Sequence, residues 1–288
     1  MPNAFKMKKV KLIAGILLIV FSSYTAYSQD AITITHQMFS AVKAIKTVKF
    51  DFESKERIKG KMYNELTSFK ININPFKAYI FQNFPKKGIE GLYVTGENGG
   101  KMKINPNSFP WVSLNLDPEG ELMLENRHHP IYNGGFTYTI SILEDLLNKY
   151  QVLSAKMVTY NGVVKIHGMD CFSLTLTNSN YKMTLYNTLQ GETPVSIAKK
   201  LKINYYSILE NNPGIKATTV VKYGTRLIVP NDYASRMELY VHISLLYPVS
   251  LKIYDSKGLF EEYTFSDVTL NPPFQGIDFS HKNQEYHF

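Results

Sequence analysis

The 288-residue sequence has a single cysteine and a single tryptophan, and it contains no low-complexity tract. With one thiol, Cys171, no internal disulfide and no cysteine-based metal cluster can form. An HExxH motif, a glycine-rich phosphate loop and a Ser-His-Asp pattern are also missing. The sequence therefore predicts no enzyme, no metal site and no cofactor.

The positive charge is concentrated at two places. The chain carries +8, and four lysines before residue 29 account for half of that excess. Residues 184–230 hold the other half, with six basic residues against Glu192 and Glu210. The rest of the chain is close to neutral, which excludes the broad basic face of a nucleic-acid-binding protein.

Residues 1–28 have the pattern of a secretory signal peptide. A basic start, MPNAFKMKKVKL, precedes the apolar run IAGILLIVF, and the small residues Ala26 and Ser28 predict cleavage before Gln29. The run is too short to span a bilayer, and no cysteine follows it as a lipidation site. We expect an exported protein of the periplasm or cell envelope that does not span the membrane once processed; an uncleaved anchor is the alternative.

Most of the remaining sequence alternates in the manner of β-strands. Before the strands, Ile34, Met38, Val42 and Ile45 predict one helical face, with Thr35 as its N-cap. The runs TVKFDFESKERI and NELTSFKININ predict a strand pair joined by KGKMY, and GGFTYTISILEDLLNKY predicts a second helix. The fold class is α+β, with an antiparallel sheet of nine to eleven strands. Such a sheet curls, so its inner face needs helices or a ligand to fill it.

Residues 184–230, here called the module, break this pattern with strand, helix, helix and strand. Thr193 is placed to cap a helix that starts at Pro194, and Asn204 is placed to cap a second helix that stops before Pro213. The motifs GETPVSIA, ILENNP and GTRLIVP resemble those of the LysM domain. We expect a βααβ LysM domain inserted at a loop tip, with its flanking strands CFSLTLT and MELYVHISL paired to each other.

The LysM resemblance implies binding of glycans that contain N-acetylglucosamine, such as peptidoglycan. Its groove would lie between two loops, and the resemblance places Gly191, Glu192, Thr193 and Pro194 on one side and Asn212, Pro213, Gly214 and Ile215 on the other. Backbone groups in these glycine and proline turns could bond acetamido groups. The alternative is that these residues only cap and terminate helices.

Two segments characterise the host, residues 29–183 and 231–288: YPVSLKIYDSKGLFEEYTFSDVTLNPPFQGIDF and GLYVTGENGGKMKINPNSFPWVSLNLDPEGELMLENRHHPIYNGG. On these segments the host resembles the LolA-like superfamily of exported lipid and lipoprotein carriers, and within it an uncharacterised branch of secreted bacterial proteins. It implies a half-barrel of antiparallel strands, covered by helices, with an apolar cavity for acyl chains. Candidate cavity residues are Phe50, Phe52, Phe69, Ile71, Ile73, Tyr79 and Phe81, and for each of them plain core packing is the favoured interpretation.

Other reactive side chains favour structural roles. Adjacent residues on a strand face opposite ways, so His128 and His129 make an awkward metal pair. Cys171 lies in a strand pattern, which disfavours a thiol nucleophile with His167. The carboxylates of Glu97, Asp117 and Glu119 fall in turns, where they commonly stabilise the turn itself.

The sequence thus predicts an exported binding protein that a LysM module tethers to peptidoglycan and whose sheet holds a lipid or lipoprotein. Two alternatives stay open. One is a cell-envelope hydrolase targeted by the module, and the other is a scaffold whose module contacts protein rather than glycan.

Overall fold

The computed structural model describes residues 30–109, 111–151 and 154–288. The predicted signal peptide and its cleavage site lie outside these residues. Among the helices described, none is both long and apolar enough to cross a lipid bilayer.

In the described residues the strands are β1 (Thr47–Ile58), β2 (Lys61–Asn72), β3 (Lys77–Phe84), β4 (Glu90–Val94), β5 (Met102–Asn105), β6 (Leu114–Leu116), β7 (Val158–Ile166), β8 (Met169–Thr177), β9 (Met183–Asn187), β10 (Arg226–Pro230), β11 (Arg236–His242), β12 (Pro248–Asp255) and β13 (Gly258–Leu270). Eleven of them form one antiparallel sheet in the order β6-β5-β4-β3-β2-β1-β13-β12-β11-β8-β7. A separate two-stranded sheet pairs β9 with β10. The predicted α+β class and the open, curved sheet are confirmed.

The helices are α1 (Ala31–Lys43), α2 (Glu121–Leu124), α3 (Phe136–Lys149), α4 (Ser154–Met157), α5 (Pro194–Leu201) and α6 (Tyr205–Asn211). The first helix buries Ile34, Met38 and Val42 as predicted. The prediction that Thr35 caps it is wrong, because the helix already runs from Ala31. The buried Thr35 hydroxyl instead donates to the Ala31 carbonyl at 2.8 Å, one turn back.

The connection between β1 and β2 is shorter than predicted. Only Lys59 and Gly60 separate the strands, with φ values of 51° and 76°. Two successive positive φ angles are typical of a type I′ hairpin turn, whose twist matches that of the strands. Residues 61–63 therefore extend β2 instead of forming a loop.

The candidate cavity residues lie on two opposite faces of the sheet. Helices α1 and α3 pack on one face, here called the inner face, together with Phe50, Phe52, Phe69, Ile71 and Ile73. Tyr79 and Phe81 point to the opposite face, where the C-terminal segment covers them; the Tyr286 ring stacks on that of Tyr79 at 3.7 Å. The inner face is filled largely by the two helices.

The sheet continues on both sides of the module. Strands β8 and β11 pair directly, with Thr177 opposite Arg236, and the next hydrogen bond runs from Asn178 N–H to the Ser235 carbonyl. Inside the module, β9 pairs with β10, with Met183 opposite Pro230. The chain thus leaves and re-enters the sheet at one place, as predicted. The boundaries proposed for the signal peptide, host and module remain predictions.

Phe50 lies at the centre of the inner-face core, so replacing it with alanine should be costly. Its ring is buried and lies 5.2 Å from Phe69, 5.3 Å from Phe265 and 5.6 Å from Phe136 between centroids. We expect Phe50→Ala to lower the free energy of unfolding by about 4 kcal/mol in urea titration, through lost burial and the cavity left behind. Val163→Ala, at an exposed strand position, should change it by less than about 0.5 kcal/mol. Similar losses in the two variants would contradict this placement of the core.

Candidate functional site

Both helices of the module begin with the predicted caps. Thr193 Oγ1 accepts a hydrogen bond from Ser196 N–H at 3.1 Å, while Ser196 Oγ accepts one from Thr193 N–H at 2.9 Å. The side-chain oxygen Oδ1 of Asn204 accepts a hydrogen bond from Tyr206 N–H at 2.8 Å, which caps α6. These bonds satisfy backbone donors that a helix start would otherwise leave free.

On the first predicted glycan loop, Glu192 is tied to its neighbours. Its carboxylate accepts hydrogen bonds from Leu189 N–H at 2.8 Å, Tyr186 O–H at 2.7 Å and Lys200 Nζ at 3.1 Å. Pro194 is buried at the start of α5. Gly191 is exposed, with φ of 80°. The side chains of this loop therefore shape it, and its glycine lies at the surface.

On the second loop, the Asn212 side chain is also structural. It donates to the Ile208 and Ile228 carbonyls, each at 2.7 Å, and accepts from Ile228 N–H at 2.8 Å, which locks the end of α6 to β10. Pro213 and Gly214 are exposed, and Ile215 packs partly against the module core.

The segments that follow these loops are joined by backbone hydrogen bonds. Val195 N–H donates to the Ala217 carbonyl at 3.2 Å, and Val221 N–H donates to the Glu192 carbonyl at 2.8 Å. Gly214 and Ile215 line a cleft of about 740 Å³ whose other wall includes Lys59, Gly60 and Glu121 of the host. Two of the eight predicted groove residues therefore face the host across an open cleft.

The module is packed firmly on the host. Ile58, Leu124 and Phe260 of the host belong to the same buried apolar cluster as the module core. Tyr205 O–H donates to the Leu124 carbonyl at 3.0 Å, and Tyr206 O–H accepts from Lys59 N–H at 2.6 Å. The two parts accordingly form one compact unit, Ala31–Phe288.

Much of the module's positive charge is paired with carboxylates of the host. Three module lysines contact host carboxylates: Lys199 with Glu119, Lys202 with Asp145 at 2.6 Å, and Lys216 with Glu121 at 3.0 Å. All three lysines are largely exposed, so each pair contributes little by itself. Their common effect is to hold the module in one orientation on the host.

A more buried ion pair holds α6 against the sheet. The guanidinium of Arg57 donates two hydrogen bonds to Glu210 of the module, at 3.2 and 3.0 Å, and also binds Asp255. Burial would lower the pKa of Arg57, but the bonds to both carboxylates outweigh it and raise the pKa. The two hydrogen bonds to Glu210 fix the orientation of the Arg57 guanidinium relative to that carboxylate as well as their separation.

The most enclosed polar group in this region is the Glu261 carboxylate on β13. It is fully buried and accepts hydrogen bonds from His128 Nδ1 at 2.7 Å, His129 Nε2 at 3.2 Å and the Asn204 amide at 2.7 Å. Tyr233 O–H lies 3.1 Å from both of its oxygens. Asn204 belongs to the module, so this network joins module and host.

The expectation that His128 and His129 face opposite ways is wrong. They lie in the connection between α2 and α3, not in a strand, so both rings can turn towards Glu261. His128 Nε2 faces the Arg57 carbonyl at 3.0 Å, and its Nδ1 faces Glu261. Because both partners are acceptors, the ring satisfies them only with a proton on each nitrogen. No sequence pattern indicated this convergence.

The charges in this network shift two pKa values. For Glu261, burial favours the neutral acid, but the charge of His129 and the hydrogen bond from His128 outweigh it and lower the pKa to about 2. For His128, burial favours the neutral ring, but the charges of Glu56 and Glu261 and the bond to Glu261 raise the pKa. An ionic pair is therefore the stable form of this buried site.

Cys171 and Asp117 have the structural roles predicted for them, whereas the Glu119 carboxylate pairs with Lys199 of the module and Glu97 makes no side-chain cap bond. Cys171 is buried in β8, and burial raises the pKa of its thiol, which leaves it a poor nucleophile. Asp117 accepts a hydrogen bond from Glu119 N–H at 2.9 Å within its turn. Within the described ranges, no three His, Cys, Asp or Glu side chains are arranged to hold a metal ion.

A small cavity remains on the inner face of the sheet, with a volume of about 90 Å³. Phe52, Phe69, Ile80 and Met102 line its apolar part, and His129 lies at its polar end. An apolar cavity of about 150 Å³ is large enough for benzene. The cavity as it stands is therefore too small for an acyl chain.

Two family models match the chain. A model of the family described as "Protein of unknown function (DUF1571)" matches residues 45–190, and the LysM domain model matches residues 189–230. No curated protein matches the chain.

Several solved structures are similar at low sequence identity. The lipoprotein LppX from Mycobacterium tuberculosis is 14% identical over 85% of this chain and 97% of its own, with a TM-score of 0.40. LprF from Mycobacterium bovis is 11% identical over 86% and 96%, with a TM-score of 0.39. The LolA superfamily protein NE2245 from Nitrosomonas europaea is 10% identical over 87% and 97%, with a TM-score of 0.30.

The Glu261 network should give the unfolding free energy a defined pH dependence. The pKa of Glu261 is below its ordinary value of 4.5, so its contribution is complete above pH 4.5 and is lost as the pH falls towards 2. The pKa of His128 is above its ordinary 6.5, so its contribution is complete below pH 6.5 and is lost as the pH rises through the raised value. Both contributions are complete between about pH 4.5 and 6.5.

Glu261→Gln tests this dependence. In urea titration near pH 5.5 we expect a loss of about 3 kcal/mol, because the variant leaves buried histidine charge unpaired. The difference from wild type should shrink below pH 4.5. Glu262→Gln is the matched control. The Glu262 carboxylate lies on the other side of the same strand, 3.7 Å from Lys55 Nζ and 3.6 Å from Lys252 Nζ. A pH-independent difference for Glu261→Gln would show that the carboxylate is not held ionised.

Proposed function

Since the chain belongs to the DUF1571 family of proteins of unknown function and carries a LysM domain, we propose that it is an exported, non-enzymatic protein of the cell envelope. Its LysM module binds glycans that contain N-acetylglucosamine, with peptidoglycan as the expected ligand. The binding tethers the host to the wall.

The observation that carries this proposal is the exposure of two glycine turns on the module. Gly191 and Gly214 have φ values of 80° and 92°, and a Cβ built at either position would meet no atom within 4 Å. The backbone at both turns is therefore open to a ligand, and backbone groups are well suited to bond the amide and hydroxyl groups of a sugar.

The eight groove residues then divide into two roles. Gly191, Pro213, Gly214 and Ile215 offer backbone and apolar surface to the sugar. Glu192, Thr193, Pro194 and Asn212 hold the loops in shape, because their side chains are bonded or buried within the module. Both roles are compatible with one groove, and only the first requires direct contact.

A second candidate ligand is a lipid or lipoprotein acyl chain, held in the inner-face cavity. The apolar lining by Phe52, Phe69, Ile80 and Met102 supports it. Because the cavity holds only about 90 Å³, α3 would have to move away from the sheet before an acyl chain could enter. Mass spectrometry of organic extracts of the purified protein tests this proposal: a stoichiometric lipid supports it, and extracts without lipid contradict it.

The tether is tested by sedimentation with insoluble peptidoglycan. We expect wild type to sediment and Pro213→Asp to bind roughly tenfold more weakly, since a charged side chain would replace apolar surface at the sugar. Thr218→Asp is the matched control, because it adds the same charge at an exposed position of the same loop. Equal binding by both variants would contradict the assigned groove, and no sedimentation of wild type would contradict the tether.

The same incubation separates the alternatives. A hydrolase would release soluble sugar fragments, and we expect none above the protein-free level. A scaffold whose module contacts protein would leave wild type in the supernatant when peptidoglycan is the only partner present.

A further inference from the structure

Four large apolar side chains project into solvent at one end of the main sheet. Phe109 is 84% exposed, Trp111 72%, Val112 56% and Phe84 54%. Here this group is called the apolar tip. Phe84 ends β3, next to the connection 85–89 to β4, and the other three side chains lie in the connection 106–113 between β5 and β6. Exposed apolar groups that cluster in this way mark an interaction surface more often than isolated ones do.

Strand register and a hydrogen bond bring the two connections together. Glu90 at the start of β4 pairs with Phe81 of β3 on one side and with Asn105 of β5 on the other. The Asn107 amide then donates to the Lys87 carbonyl at 3.1 Å. Phe84 at the end of β3 and Trp111 between β5 and β6 therefore lie at the same end of the sheet, with only β4 between β3 and β5.

The segments that carry the tip hold charge of one sign, although Glu65 and Glu125 line the neighbouring cleft. Lys86 and Lys87 are exposed between Phe84 and β4, and residues 84–88 and 106–113 contain no aspartate or glutamate. Aromatic rings beside lysines match the interface of an anionic bilayer. Tryptophan and phenylalanine enter the boundary between headgroups and acyl chains, while lysines meet the anionic headgroups.

We propose that the apolar tip docks the protein on the surface of anionic phospholipid membranes. Trp111, Phe109 and Val112 enter the interface, and Lys86 and Lys87 supply the preference for anionic lipid. This docking is independent of glycan binding by the module.

The position of the tip next to the inner-face cavity supports a membrane over a protein partner. Met123 and Arg127 line both that cavity and a surface cleft that also contains Pro85 and Lys86. A membrane at the tip would thus face the side of the molecule from which an apolar ligand could reach the inner face. The four side chains of the tip are also more than half exposed, whereas a peptide partner would be expected to find a groove.

Trp111 is itself the probe, because it is the only tryptophan in the chain. We expect its emission to shift to shorter wavelength, and its quenching by acrylamide to fall, when vesicles of phosphatidylglycerol and phosphatidylcholine are added. Vesicles of phosphatidylcholine alone should give a much smaller change. Lys86→Gln should weaken the vesicle affinity roughly fivefold, and the double variant with Lys87→Gln should weaken it further.

Two variants control the measurement while keeping Trp111. Phe109→Ser combined with Val112→Ser should abolish the emission shift, whereas Leu245→Ser should leave it unchanged. Leu245 is similarly exposed but lies in the turn between β11 and β12, at the opposite end of the sheet. Because the signal comes from Trp111, membrane binding by any other part of the chain does not imitate it.

Three results would overturn the proposal. In the first, vesicles leave the emission and quenching of Trp111 unchanged. In the second, neutral and anionic vesicles act equally and the lysine variants match wild type. In the third, soluble peptidoglycan fragments shift the emission while vesicles do not, which would assign the tip to glycan.

Discussion

The buried carboxylate of Glu261 is the constraint on which the arrangement of the two parts depends. A charge without solvent must be surrounded by donors, and here they come from the loop that carries His128 and His129, from Tyr233 after the module, and from Asn204 within it. Moving any one of these segments would leave the charge without part of its compensation. Because the buried Glu261 charge requires all of these donors, it restricts the position of the module on the host.

Asn204 shows how a local role and a long-range role can share one side chain. Its carbonyl oxygen caps α6, and its amide group donates to Glu261 and to Tyr233. The cap involves only residues of the module, but the amide contacts require the host. The module's lysines act in the same way, since residues that would give a free LysM domain a basic surface are here turned onto host carboxylates.

The features that could be predicted from the sequence are those set by local patterns. Strand alternation, the helical face of Ile34, Met38 and Val42, and the caps at Thr193 and Asn204 depend on neighbouring residues. The convergence of His128 and His129 could not be predicted, because tertiary contacts with β13, more than 130 residues later, determine the path of their loop. Which face of β3 points inward could not be predicted either. Tyr79 is buried by a C-terminal segment about 200 residues away, and no periodicity in the sequence connects the two.

Because the module is packed rigidly on the host, the ligand site of the module and the apolar tip keep a fixed relative orientation. The type I′ turn at Lys59-Gly60, which meets the module through Tyr206, lies at the same end of the sheet as the apolar tip. Strand β2 links them, because it starts at this turn and pairs with Phe84 at Leu66, five residues further on, about 17 Å along the strand. A flexibly linked module would leave the orientation of the host undetermined after the module had bound. With the Glu261 network and the Arg57 ion pairs intact, any ligand held by the module also fixes the direction in which the sheet and its tip point.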